Sequence, residues 1–180
     1  MAPPEPISHP EMHAVHEMNA NWISLVPYGF SKLESSDIRY NLEWQWWGER
    51  KEGIEACIDL AHKKGLKVML KPQVYIHGSW VGDVEFEEEE DWQAWENSYR
   101  SYIHFYGKIA TEKKVDLFCV GTEYKKAVQQ RPEFWKTIIQ EIRSYYDGKI
   151  IYSSNWDAYE SLDIWDQVDY IGISAYFPLT

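Results

Sequence analysis

The sequence predicts an α/β protein of the (β/α)8-barrel (TIM-barrel) type, in which helices cover a parallel sheet. Two observations predict this fold: strand-like and helix-like segments alternate strictly along the 180 residues, and the strand-like segments are apolar almost throughout. A third observation disfavours a doubly wound nucleotide-binding sheet, because no GxGxxG or P-loop motif follows the first strand. We expect a single domain over residues 1–180, with five parallel strands that form part of a barrel.

Five helices and five strands alternate, beginning with a helix. The helices are predicted over residues 8–19, 51–64, 91–112, 132–148 and 160–167, and the strands over residues 21–28, 66–72, 115–123, 149–156 and 169–177. Local signals set the helix ends, such as Pro132 in a first turn and Gly65 after a last turn. The long segments 29–50 and 73–90 are expected to be loops.

The composition limits the classes of ligand. A net charge of −11 disfavours nucleic acid and anionic membranes as partners, because both require a basic surface. Ten Trp, thirteen Tyr and six Phe are present, and a surplus of aromatic rings with polar edges suits sugar rings. A stripe at helical spacing from Trp92 to Ile109 is assigned to the core. No stretch is apolar over about 18 residues or resembles a signal peptide.

No metal site is expected. His9, His13 and His16 share one face of the first helix, but no further ligand accompanies them, and we interpret the face as solvated. Cys57 and Cys119 form no CxxC or Cys/His pattern, so they are interpreted as buried hydrophobic side chains.

Polar side chains collect at the carboxyl ends of the predicted strands. In a (β/α)8 barrel these ends form the rim that holds the active site. The residues are Tyr28, Lys71, Gln73, Glu123, Asn155 and Tyr176. The rim is therefore the predicted position of a functional site.

Side-chain alternation along three strands agrees with this rim. Residues that point into the barrel are small or polar near its mouth, and the residues between them, which face the helices, are branched or aromatic. The predicted inward residues are Met69, Lys71, Gln73, Leu117, Cys119, Gly121, Glu123, Tyr170, Gly172, Ser174 and Tyr176. The predicted outward residues are Val68, Leu70, Phe118, Val120, Ile171 and Ile173.

The stretch "DLFCVGTEY" ends an apolar strand on the carboxylate of Glu123, which is unusual because carboxylates are rarely buried without a partner. One interpretation is a salt bridge to a rim lysine such as Lys71. The other is glycoside hydrolysis with retention. That reaction needs an acid to protonate the leaving oxygen and a nucleophilic carboxylate roughly 5–5.5 Å away.

Four motifs in order, "LKVMLKPQVYIHGSWVGD", "DLFCVGTEY", "IIYSSNWD" and "IWDQVDYIGISAYFPL", resemble glycoside hydrolase family 113. This family contains the β-mannanase-type members of a large retaining clan of (β/α)8 barrels. The resemblance extends from about Pro3 to Leu179 and implies that the five strands are barrel strands 2 to 6. It favours a secreted or periplasmic protein, although the sequence itself leaves the compartment open.

The resemblance implies a retaining, endo-β-1,4-mannanase-like hydrolase that acts on β-mannan-type polysaccharide without a metal or organic cofactor. The glutamate of the family's "GTE" motif is the general acid/base, which here is Glu123. Thr122 stands where the clan usually has the asparagine that contacts the sugar 2-hydroxyl, so Asn155 is a candidate for that contact. Tyr176 is placed to hydrogen-bond the nucleophile. The remaining candidates for substrate contacts are Lys71, Gln73, Trp80, Trp156, Trp46 and Trp47.

One departure from the family pattern limits these expectations. The family's nucleophile is a glutamate at the end of barrel strand 7, beyond the predicted strands. We therefore expect that this chain alone does not hydrolyse glycosides, and that its exposed sheet edges permit self-association. Two other functions stay open: an inactive partial barrel that binds carbohydrate or a partner, and a hydrolase of another glycan. For Trp44, Trp46 and Trp47, packing as a lid competes with stacking on sugars.

Overall fold

The computed structural model describes residues 3–178. The helices are α1 (His9–Glu17), α2 (Lys51–Lys63), α3 (Glu89–Glu112), α4 (Lys125–Gln130) and α5 (Pro132–Arg143). The strands are β1 (Trp22–Leu25), β2 (Tyr28–Ser31), β3 (Lys67–Leu70), β4 (Gln73–Ile76), β5 (Leu117–Thr122), β6 (Lys149–Asn155) and β7 (Tyr170–Ser174). Short 3-10 turns occur at Trp47–Glu49, Val81–Asp83, Tyr159–Ser161 and Trp165–Gln167. Within residues 3–178, none of the helices has the length and apolar character needed to cross a membrane.

Five strands form one parallel sheet in the order β1-β3-β5-β6-β7, which follows the chain without reversal. Because parallel crossovers are right-handed, an order that never reverses places the connecting helices on one face of the sheet. In a (β/α)8 barrel the sheet curls in this way, and its other face becomes the barrel interior. The prediction of a partial (β/α)8 barrel is confirmed.

Two of the predicted strands are shorter than expected, because a proline divides each of them. Pro27 separates β1 from β2, and Pro72 separates β3 from β4. Proline has no backbone N–H to donate to a neighbouring strand, so the barrel strands do not continue through it. The chain resumes an extended conformation after each proline.

The resumed strands, β2 and β4, form a separate parallel pair in which Tyr28 lies opposite Gln73. The prediction of a loop throughout residues 73–90 is wrong, because β4 and the turn at Val81–Asp83 lie within that segment. Gln73 begins β4, just outside the five-stranded sheet, and the alternation continues there, because Val74 and Ile76 are buried whereas Gln73 and Tyr75 are more exposed.

Two other elements differ from the sequence prediction. The helix α4 was not predicted, since it has only six residues and Tyr124 before it supplies no capping hydrogen bond. The single helix predicted over residues 160–167 is instead two 3-10 turns. In this segment the indole N–H of Trp165 donates to the carbonyl of Tyr159 at 2.7 Å. In a continuous helix a backbone N–H would donate to that carbonyl.

The outer face of the sheet is buried beneath α3 and α5. Trp135 of α5 is completely buried, and its ring centre lies 4.9 Å from Tyr99 of α3, 5.3 Å from Tyr124 and 5.5 Å from Tyr152 of β6. The hydroxyl of Tyr99 donates to the carbonyl of Val120 in β5 at 2.7 Å. The aromatic stripe of α3 therefore belongs to the core, as predicted.

A β-bulge in β5 changes the alternation just before Glu123. The register with β6 shifts between Cys119 and Thr122. The Sγ atom of Cys119 lies 3.7 Å from Oγ1 of Thr122, so these two side chains share a face. A Cβ atom on Gly121 would lie 2.6 Å from the Trp135 ring, which places Gly121 on the helix side. The prediction that Gly121 points inward is wrong, because the bulge adds a residue and shifts the alternation by one.

Candidate active site

The inner face of the sheet borders a cavity of about 360 Å³. Its lining comes from four strands and the segments after β3 and β7, namely Met69, Lys71, Cys119, Ile151, Ser153, Gly172, Ile173, Ser174, Ala175 and Tyr176. Most of the predicted inward residues of these strands are in this set. Ile173, predicted to face the helices, also borders the cavity because β7 is at the edge of the sheet.

Lys71 extends into this cavity from the end of β3. Burial raises the pKa of the Cys119 thiol, and the nearby ammonium group of Lys71 opposes that increase. The ion pairs among residues 3–178 do not join Lys71 to Glu123. A Lys71 salt bridge is therefore not what holds Glu123 in this structure.

Glu123 follows β5 directly, in a backbone conformation that is rare for its residue type. Its φ angle is +60°, in the left-handed region, which costs non-glycine residues energy; Asn19, Asn41 and Lys114 also lie in this region. The backbone N–H of Glu123 donates to the carbonyl of Ser153 in β6 at 2.8 Å, so the strained residue remains anchored to the sheet. Its side chain is partly exposed at the rim.

The indole of Trp80 contacts the carboxylate of Glu123. The Nε1–H group of Trp80 donates to Oε2 of Glu123 at 2.9 Å, across 43 positions of sequence. The Trp80 ring lies against Gly82, where a Cβ atom would approach the ring to 2.2 Å. The segment after β4 therefore carries a side chain that orients Glu123, and a glycine two positions later makes room for that side chain.

The unpredicted helix α4 joins the two loops on either side of Glu123. Lys126 pairs with Glu85 in the loop that carries Trp80, and Gln130 donates to the same carboxylate at 3.2 Å. On the other side, Lys125 donates to Asp157 in the loop after β6 at 2.8 Å. The hydrogen bond from Lys126 lowers the pKa of Glu85, and the hydrogen bond from Lys125 lowers that of Asp157, so both carboxylates stay ionised over a wide pH range.

Further polar groups lie near Glu123. Burial raises the pKa of Tyr28, and the negative charges of the nearby Glu49, Tyr176 and Glu123 raise it further. Glu49 is itself buried, and burial raises its pKa although Gln45 donates a hydrogen bond to it. Glu49 was not among the site residues predicted from the sequence. Its only sequence signal was its position at the end of the aromatic stretch "EWQWWGER".

The other predicted contact residues are distributed around the rim. Asn155 ends β6, and its amide donates to Asp157 at 2.7 Å. Trp156 follows and packs edge-on against Phe177, with ring centres 6.0 Å apart. Gln73 begins β4, opposite Tyr28.

Trp46 and Trp47 belong to the loop before α2. Trp46 borders a small pocket with Glu49 and is partly exposed, whereas Trp47 is the first residue of the 3-10 turn that follows. Among the hydrogen bonds and ring contacts of the described residues, Trp80 is the predicted contact residue that reaches the side chain of Glu123.

The described part of the chain has no group of three or more His, Cys, Asp or Glu side chains that could hold a metal ion. His13 stacks on His16 with ring centres 6.3 Å apart. The side chain of His9 is outside the set that the structure describes. Cys57 and Cys119 are buried and free, as predicted.

Comparison with known proteins connects this geometry to a family. The family model described as Glycoside Hydrolase Family 113 matches residues 5–180. None of the curated proteins matches the chain.

Two solved structures of the same family are similar in fold and sequence. The GH113 β-mannanase AaManA from Alicyclobacillus acidocaldarius, in complex with ManMIm, is 33% identical, with a TM-score of 0.87 over 94% of this chain and 55% of its own. A GH113 β-1,4-mannanase is 25% identical, with a TM-score of 0.84 over 94% of this chain and 57% of its own. The β-glucuronidase of Ruminococcus gnavus is 11% identical, with a TM-score of 0.53 over 67% of this chain and 20% of its own, and shares the fold alone. The chain thus spans just over half the length of the two mannanases.

Proposed function

Because the chain belongs to glycoside hydrolase family 113, we propose that it carries the acid/base half of a retaining hydrolase of β-1,4-mannan, with Glu123 as the general acid/base. The observation that carries the proposal is the placement of Glu123. Its carboxylate follows a barrel strand at the rim and is oriented by the indole of Trp80. The rim is where (β/α)8 enzymes place their chemistry. Membership of a hydrolase family also favours catalysis over the inactive binding barrel.

The first step of the proposed reaction uses Glu123 as an acid. Glu123 donates a proton to the glycosidic oxygen while a second carboxylate attacks the anomeric carbon from the opposite face. The indole of Trp80 is a donor only, and it occupies Oε2 of Glu123. The transferable proton therefore sits on Oε1, the oxygen free to meet the substrate.

The second step uses the same oxygen as a base. Oε1 of Glu123 accepts a proton from the water that attacks the glycosyl-enzyme, which restores the free enzyme with retained configuration. The second carboxylate is proposed to be a glutamate at the end of a seventh barrel strand, beyond the 180 residues of this sequence.

Sugar binding is proposed for polar and aromatic side chains around Glu123. Lys71 and Tyr176 border the same cavity as the strand that ends at Glu123, which supports a role at the cleaved linkage. Asn155 is proposed to contact the sugar 2-hydroxyl. The full proposed set is Asn155, Tyr176, Lys71, Gln73, Trp80, Trp156, Trp46 and Trp47.

The role of Glu123 is tested in the intact gene product that contains these residues. Glu123→Gln is expected to lower kcat on β-1,4-mannan by about 10²–10⁴-fold, the range for loss of a general acid/base. An aryl β-mannoside with a good leaving group needs little protonation, so it should form the glycosyl-enzyme normally. Azide should then release β-mannosyl azide, which shows retention.

The matched control is Glu90→Gln, at an exposed glutamate of α3, which should leave kcat unchanged. Turnover of mannan by the Glu123→Gln variant at the wild-type rate would overturn the proposed role. A product of inverted configuration would overturn the proposed mechanism.

A further inference from the structure

A second pocket lies beside the rim, between the end of β2 and the loop before α2. It has a volume of about 240 Å³, and its lining residues are Phe30, Trp44, Gln45, Trp46 and Glu49. This volume lies just below the range of typical ligand pockets, which begins at roughly 300 Å³. We propose that the pocket is a distal subsite for one uncharged sugar ring, in which Glu49 accepts hydrogen bonds from sugar hydroxyls. The inference rests on the proposed function, because it extends the same glycan path away from Glu123.

Glu49 is the feature that suits a ligand of this chemistry. It is 8% exposed, and it is the one buried carboxylate residue among those that the structure describes. Its Oε2 atom accepts a hydrogen bond from Gln45 at 3.2 Å, and no ion pair among residues 3–178 includes it. A carboxylate can accept about four hydrogen bonds, and Oε1 of Glu49 is open to the pocket, since it is not among the buried side-chain atoms that lack a partner within residues 3–178. Hydroxyl groups of a ligand supply the donors that the protein does not.

Gln45 cannot donate any further hydrogen bond to Glu49. Besides its hydrogen bond to Glu49, both ends of its amide already have partners. Its Nε2 atom donates to the carbonyl of Tyr28 at 2.8 Å, and its Oε1 atom accepts from the backbone N–H of Leu42 at 2.8 Å. Gln45 therefore ties the loop to β2 and holds Glu49 in place. The pocket is preformed, and its remaining acceptor is the carboxylate of Glu49.

The rest of the pocket is aromatic. The rings of Phe30 and Trp44 lie 4.9 Å apart, while Trp44 and Trp46 are 60% and 43% exposed. Exposed aromatic faces beside a hydrogen-bond acceptor suit a sugar ring, which has an apolar face and a polar edge. The buried carboxylate and the net charge of −11 disfavour an anionic ligand such as a phosphate or a uronic acid.

The aromatic rings also connect the pocket to the catalytic rim. Tyr28 lies close enough to both Glu49 and Glu123 for each to raise its pKa. From Tyr28 the next ring is Phe30, at 6.5 Å between centres, and Trp44 follows Phe30. One extended oligosaccharide can therefore contact the rim and the pocket together.

The test uses the 180-residue chain with β-1,4-mannotetraose as the probe, and calorimetry to measure the dissociation constant. Glu49→Gln keeps the shape and the hydrogen bond from Gln45, and is expected to weaken binding about tenfold. Trp44→Ala is expected to weaken it by a similar factor. The matched controls are Glu43→Gln in the same loop and Trp22→Ala at the opposite end of the sheet, and both should bind as the wild type does.

A second measurement follows the indole N–H resonances by NMR. Those of Trp44 and Trp46 should shift on addition of mannotetraose, and that of Trp22 should not. Unchanged affinity of Glu49→Gln would overturn the subsite and leave the proposed role of Glu123 standing. Glu49-dependent binding of cellotetraose in place of mannotetraose would support the subsite and overturn the mannan assignment. Binding of neither oligosaccharide would overturn the subsite.

Discussion

The two faces of the five-stranded sheet differ in almost every property. The outer face lies beneath α3 and α5, where Phe118 and Tyr152 are completely buried. The inner face carries Lys71 and Ser153 along an open cavity. Alternate residues of one strand thus serve different purposes: one set stabilises the fold, and the other set remains accessible to a ligand.

Packing on the outer face of the sheet also positions Glu123 at the rim. The aromatic cluster around Trp135 packs against Gly121, and the bulge that begins at Cys119 delivers Glu123 to the rim. The ring of Tyr124, the residue after Glu123, packs on Trp135. The catalytic candidate is therefore held between a tightly packed cluster and an open cavity, and substitutions on the two sides should have different effects.

The largest expected effect on stability is that of Trp135→Ala. This removes a completely buried ring from the outer face and should lower the free energy of unfolding by about 3–5 kcal/mol. The comparison variant is Trp46→Ala in the loop before α2, which should lower it by about 1–2 kcal/mol, because 43% of that residue is exposed. Urea unfolding followed by circular dichroism measures both. Equal decreases in the free energy of unfolding would show that Trp46 stabilises the fold as much as Trp135 does.

A smaller effect is expected for Gly121→Ala. The added methyl group would lie 2.6 Å from Trp135 and 2.7 Å from Tyr152, so the cluster must shift, at a cost of about 1–3 kcal/mol. Ser153→Ala on the inner face of the adjacent strand adds no atom and should cost less. The free energies of unfolding of the two variants measure this difference. A neutral Gly121→Ala would mean that Gly121 does not face the helices.

The smallest expected effect depends on pH and concerns Glu49→Gln. Burial raises the pKa of Glu49 above its ordinary value of 4.5, so above that value the folded chain retains a proton that the unfolded chain releases. Stability of the wild type should therefore fall as pH rises from 4.5 toward the raised pKa, and the Gln variant should lack this fall.

The measurement is Tm at pH 4 and at pH 7 for both proteins. The two Tm values should be similar at pH 4, and the Gln variant should have the higher Tm at pH 7. Glu43→Gln is the control, because that residue is exposed. A difference between wild type and Glu49→Gln that is the same at both pH values would contradict a raised pKa.

Part of the candidate site was visible in the sequence. Glu123 ends an apolar strand, and such strands in a barrel expose their carboxyl ends at the rim, so its position at the rim followed from the pattern, although the bulge breaks the alternation that predicted its inward direction. The contact with Trp80 did not, because it joins residues 43 positions apart through a loop of no regular period. Glu49 was missed for the same reason, since its burial depends on how Gln45 folds the loop onto β2.

The sequence by itself determined the alternation of helices and strands, the parallel sheet and the polar rim. These features follow from local periodicity and from the absence of a nucleotide-binding motif, and both can be recognised in the sequence without knowledge of the tertiary structure. Only the tertiary structure decided the bulge at Gly121, the separate pairing of β2 with β4 and the bridge formed by α4. Each of these depends on contacts between distant segments, whose packing and hydrogen bonds override the local pattern that predicts a continuous strand or an unstructured loop.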